Sequence, residues 1–181
     1  FYYRTAMEKE FAKFIDSLYK DLEKSYATLK ISNARKSPAE VRKVLLWYKT
    51  NKFKIFLRNS TKIVEKWLKM AYLSADKSTR DKISKLIGKE VTINYDKTFD
   101  EAFKMMIERN VQLITNTITQ ILTNIENIVY DGMTTGEGWA QIERDLDRQT
   151  HIEKDRIKRI ARDQTAKANE ALNQIEQQKA G

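Results

Sequence analysis

One histidine, no cysteine and a scatter of carboxylates are what this chain of 181 residues offers to chemistry. His151 directly follows Thr150, which with Glu153 has the spacing of a helix capping box. With no second histidine and no cysteine, most multi-histidine metal sites and any Cys–His nucleophile pair are excluded. A Ser–His–Asp relay would have to rest on His151 alone. Glu143 and Asp147 stand four apart, so on a helix they share a face, where a carboxylate pair can hold a divalent ion or take a proton. Arg144 and Arg148 interleave with them and Asp145 adjoins, which makes the set a charge-laced solvent face. The stretch DGMTTGEG carries three of the five glycines, yet it lacks the lysine and the strand-to-helix setting of a phosphate loop. The reading is of no catalytic residue, no metal ligand and no cofactor site, hence not an enzyme.

A second group of residues suits binding. Trp47, Tyr48, Phe53, Phe56 and Trp67 lie among Lys52, Lys54, Arg58, Lys62 and Lys66. Aromatic rings between cations can stack bases while the cations neutralise phosphates. Phe56, Ile63, Val64 and Trp67 follow helical spacing, however, which assigns most of the rings to a core. The five cations remain as candidate contacts to DNA phosphates, made without reading sequence. Net charge supports a one-sided role. Residues 1–90 hold 22 Lys+Arg against 10 Asp+Glu, or +12, whereas residues 91–181 hold 12 against 15, or −3. A solvated lysine-rich surface accounts for this as well as a polyanion or an acidic protein does.

The elements that must position these residues are helical. Met7, Phe11, Phe14, Ile15, Leu18, Leu22, Tyr26 and Leu29 recur at three and four over 3–31. Ser37, Pro38 and Glu40 mark the start of a second helix. The apolar spacing from Ile55 to Tyr72 is a further amphipathic helix or a continuation of this one, with room for a break near Asn59–Ser60. Ser78 and Asp81 predict a short helix ending at Gly88. The run KEVTINY is the one strand-like segment, read as a linker with at most one short strand near 91–95. Capping boxes are then expected at Thr98/Glu101, Thr134/Glu137 and Thr150/Glu153. Between the first two, Phe103 through Val129 give the strongest periodicity in the chain, which predicts a long helix packed lengthwise on others. The fold class is all-α, with elongated amphipathic helices in two parts, 1–90 and 99–181, joined at 91–98. With no long apolar run, no membrane span is predicted.

The stretch DRIKRIARDQTAKANEALNQ, residues 155–174, closes the pattern. Ile157, Ile160, Ala168 and Leu172 are expected to face inward. Arg162, Thr165, Asn169 and Asn173 form a polar stripe largely without charge, suited to hydrogen bonds with another segment. Taken alone, a surface face explains that stripe. Together with Asn110, Leu113, Ile114 and Gly132, however, the run Ile160-Ala161-Arg162-Asp163-Gln164-Thr165 resembles the head-morphogenesis, or minor head protein, family of tailed bacteriophages, the Mu F-like proteins. The resemblance covers about residues 100–181. It implies a non-enzymatic virion component at the portal vertex or capsid interior, assembled in the host bacterial cytoplasm. It implies the portal protein, the major capsid protein and packaged double-stranded DNA as partners, and an oligomeric state within the assembly. Arg159, Arg162, Asp163, Gln164, Thr165 and Asn169 become the interaction motif. The family's pattern continues past this point with a Trp-rich segment, so the chain, which also opens on Phe1, is expected to be a piece of a longer one. The alternative is a helical module that binds nucleic acid independently of sequence through its basic first half.

Overall fold

The computed structural model describes residues 2–31, 38–87 and 97–180, and all of it is helical apart from the turn at 136–138. Helix α1 spans Tyr2–Ile31 and α2 spans Pro38–Trp47. A single π-turn, Tyr48–Lys52, joins α2 without interruption to α3, Phe53–Ile87. Helix α4 spans Lys97–Thr135 and α5 spans Trp139–Ala180. The all-α class is as expected. The strand expected near 91–95 and Gly88 lie outside the described residues, as does most of the expected linker; Lys97 and Thr98 already belong to α4.

Four rods pack side by side in the ring order α1, α2–α3, α4, α5. Each neighbouring pair is antiparallel. Tyr3 meets Trp67 while Ser17 meets Tyr48. Lys49 reaches Glu126 while Phe56 shares a cavity lining with Ile114 and Ile118. Asn124 reaches Glu153, and Tyr19 reaches Thr150. The result is an up-down-up-down bundle, the arrangement that short connections and amphipathic helices favour.

One apolar core runs the length of this bundle. It draws on every helix, from Tyr3 to Ala168, so residues from both expected parts share it. The first half contributes rings: Tyr3 stacks on Trp67 at 4.3 Å, and Phe14 packs on Phe56 at 5.2 Å and edge-on to Tyr48 at 5.7 Å. The second contributes branched aliphatics: Ile114, Ile118, Ile121, Leu122, Ile125 and Val129. Each such side chain stabilises the fold by about 1.5–3 kcal/mol when fully buried. Apart from the initiating Pro38, no described residue is a proline, which leaves the long hydrogen-bond ladders intact.

Four expected helix boundaries are corrected. No break occurs at Asn59–Ser60; Ser60 is buried in α3 and Thr61 bonds the Leu57 carbonyl within the helix at 2.9 Å. The irregularity falls earlier, at the π-turn. Helix α3 runs through Ser78 to Ile87, and α5 runs through Thr150, so neither opens a helix. Thr150 donates to the Leu146 carbonyl at 2.8 Å and Thr134 to the Tyr130 carbonyl at 2.8 Å. A hydroxyl engaged in that way satisfies itself inside a helix instead of capping one. The real stop follows Thr135. Glu137 N–H bonds the Gly132 carbonyl at 2.8 Å and Gly136 N–H bonds Met133 at 3.3 Å, with Gly136 at φ 79°. This paired pattern is a Schellman ending, and it needs the left-handed residue that glycine supplies.

Candidate interaction surface

Helix α5 carries the interaction motif, and its burial pattern sorts that motif. Ile157, Ala161, Ala168 and Leu172 are buried and Ile160 is half-buried, as the spacing predicted. Arg159, Arg162, Asp163 and Asn169 are exposed. Thr165 is half-buried, its hydroxyl donating to the Ala161 carbonyl at 2.7 Å. Gln164, which the helical period sets with Ala161 and Ala168 although the resemblance counts it in the motif, sides with the period. It is buried, facing the bundle on the same side as Ala161 and Ala168, so it belongs to the interior and not to an outward motif.

Arg159 and Arg162 open onto a cleft of about 470 Å³ with Asp155 and Lys158 of α5 and Arg4 of α1. Antiparallel pairing brings the first turn of α1 to this part of α5. Asp155 lies 3.7 Å from Lys158, and Arg4 lies 3.6 Å from Glu8 on its own helix. Arg4 and Lys158 were not legible as site residues, because the α1–α5 pairing that places Arg4 there is tertiary.

The five candidate phosphate contacts separate. Lys54, Arg58, Lys62 and Lys66 are exposed on α3, whereas Lys52 is half-buried and sits over the Trp47 ring at 5.1 Å. Phe56, Tyr48 and Trp67 are core residues and Phe53 packs against the core, leaving Trp47 as the exposed ring of that group. The α1–α3 pairing adds what the sequence did not combine. Lys9, Lys13, Lys20 and Lys24 are exposed on the adjacent α1, interspersed with Asp16 and Glu23. Two neighbouring helices therefore turn a largely cationic surface outward.

Several interior polar groups are hydrogen-bonded within the bundle. Glu153 is buried; its Oε1 accepts from Gln149 at 2.7 Å and from Asn124 at 3.2 Å, and its Oε2 lies 3.7 Å from Arg156. The Tyr19 hydroxyl meets Thr150 and the Leu146 carbonyl. Tyr48 donates to Asp21 at 2.8 Å and contacts Ser17 Oγ at 2.6 Å. Burial pushes the Tyr19 and Tyr48 phenols up to about 12 each. His151 is exposed. Glu143 and Asp147 are exposed as well, and Asp145 lies 3.6 Å from Arg148, in the charge-laced face expected there. Among the described residues no carboxylate or histidine cluster is arranged to hold a metal, and no helix is long and apolar enough to cross a membrane.

Comparison of the chain with family models, curated proteins and solved structures finds no match.

Proposed function

We propose that the chain is a structural minor head protein of a tailed phage. It docks through the outer edge of α5 on the portal protein or the inner surface of the capsid shell, and supports head assembly and DNA packaging or ejection. The observation that carries this reading is the position of the run that resembles the family. Ala161 and Gln164 anchor it in the core, while Arg159, Arg162, Asp163 and Asn169 face outward together. Such an edge, on a helix held rigid by its buried side, suits side-on packing against another helical surface. The test is cosedimentation with the portal assembly of the phage that encodes the chain, at physiological salt and without DNA. Stoichiometric, salt-tolerant binding is expected. Arg162→Ala should weaken it about tenfold, the scale of one charge-assisted hydrogen bond, with helix content unchanged. Absence of binding by the intact chain would sink portal docking.

A second reading, contact with nucleic acid independent of sequence, is favoured by the cationic α1–α3 surface. Counterion release then makes log affinity for duplex DNA fall linearly with log salt. Replacing Lys54, Arg58 and Lys62 together by Gln should reduce that slope by about 2–3. An unchanged slope would remove these residues from the contact.

A further inference from the structure

The cleft between the first turn of α1 and the middle of α5 sets like charges against one another. Arg4 comes from one helix and Lys158, Arg159 and Arg162 from the other, with Asp155 as the one carboxylate of the lining. Asp155 already lies beside Lys158, and Glu8, beside Arg4, is a neighbour on α1. The α5 wall, with Lys158, Arg159 and Arg162 against Asp155, is left with excess positive charge. Cations gathered on an exposed edge attract an anion.

The residue types narrow which anion. The α1–α3 surface is built almost entirely of lysines, which act as hydrated point charges and tolerate a diffuse polyanion. The cleft instead gathers three arginines, whose planar forks match paired oxygens of a carboxylate or a phosphate. It is also concave and local, and on α5 it is followed by Thr165 and Asn169. The Asn169 amide both donates and accepts, which suits the backbone of a peptide laid along α5.

We propose that this cleft is a docking site for an acidic segment of a partner protein, with Asp or Glu carboxylates held by Arg159 and Arg162 and the segment continuing past Asn169. This deepens the docking reading above and rests on it only for which protein supplies the segment. The site itself is defined by charge and shape.

The test uses the whole chain and a fluorescein-labelled Glu-rich peptide, read by anisotropy at physiological salt, with the Gln-for-Glu peptide as control. Saturable binding of the Glu peptide and none of the control is expected. The double variant Arg159→Gln/Arg162→Gln should weaken binding about tenfold or more, as loss of charge-assisted hydrogen bonds does. The Lys54→Gln/Arg58→Gln/Lys62→Gln variant should leave it unchanged, and circular dichroism of both variants should match the parent. Failure of the Glu peptide to saturate overturns the proposal. So does equal affinity in the double variant, or displacement of the peptide by inorganic phosphate or random duplex DNA in a manner that depends on Arg159 and Arg162. Because the probe is a peptide, failure of this site and failure of portal docking are separately visible.

Discussion

Gly132 marks a close approach between α4 and α5. A β-carbon there would lie 2.5 Å from Ile142 Cγ1 and 2.9 Å from its Cδ1, and Ile142 is itself fully buried. Gly132→Ala should therefore cost about 1–3 kcal/mol, the usual penalty of overpacking a close-packed interior. Gly136 has open space around it but sits at φ 79°, so Gly136→Ala should cost about 1–2 kcal/mol through backbone strain alone. Urea denaturation separates the two sites, since replacing Ile142 by a smaller residue should relieve the first penalty and leave the second untouched. The buried tyrosines give a pH dependence of definite sign. Tyr19 and Tyr48 have folded pKa values raised to about 12, above the ordinary phenol value of 10.0, because burial disfavours the phenolate. Their contribution to stability is complete below about pH 10 and is lost as pH rises towards 12. Thermal melts between those limits should show a falling midpoint, and Tyr19→Phe should make the fall shallower; an equally steep fall in the variant would clear Tyr19 of the effect. In the sequence these residues were readable only in part. Tyr26 and Tyr48 fell on apolar faces, but the close approach at Gly132 and the partners of Tyr19, 127 and 131 positions away, depend on packing.

At the scale of elements, the π-turn separates two helices with a common apolar face. Val41 and Leu45 are buried before it, Tyr48 at its first position, and Phe56, Ser60 and Val64 after it. An i→i+5 turn holds one residue more than an α turn, so it absorbs a single residue without rotating α3. Deleting the exposed Thr50 should convert Tyr48–Lys52 to regular helix, keep both faces in phase and leave stability within about 1 kcal/mol, near the scale of an ordinary surface change. Deleting Lys62, exposed in the regular part of α3, rotates Val64, Trp67 and Leu68 by about 100° relative to the core and should abolish cooperative unfolding. Similar chevrons for the two deletions would refute this role of the turn. Periodicity made the helices and their inner faces legible over α1, α4 and α5. It misplaced boundaries at Ser78 and Thr150 because a capping sequence acts only where the preceding chain leaves the helix. At Thr150 the hydroxyl is instead engaged with Leu146 and Tyr19.

At the scale of the whole molecule, the shared core predicts one folding unit. Aromatics from α1 and α3 and aliphatics from α4 and α5 fill the same interior. Residues 1–90 or 97–181 expressed alone should lack a cooperative thermal transition, while mixing the two should restore one; two independent transitions in the intact chain would refute this. The charge imbalance becomes a surface property at the same scale. Along the chain, the first 90 residues carry +12, but only the antiparallel pairing of α1 with α3 sets Lys9, Lys13, Lys54 and Arg58 on adjacent outward faces. The sequence by itself determined the all-α class, the inward face of each long helix and the outward Arg162–Asn169 edge, because a period of 3.6 residues fixes which side chains share a side. The packing of the helices settled the rest: the two halves share one core, Glu153 is buried against Asn124, and Arg4 stands with Arg159 and Arg162. Those relations join residues far apart in the chain, and no local period specifies which helix face meets which.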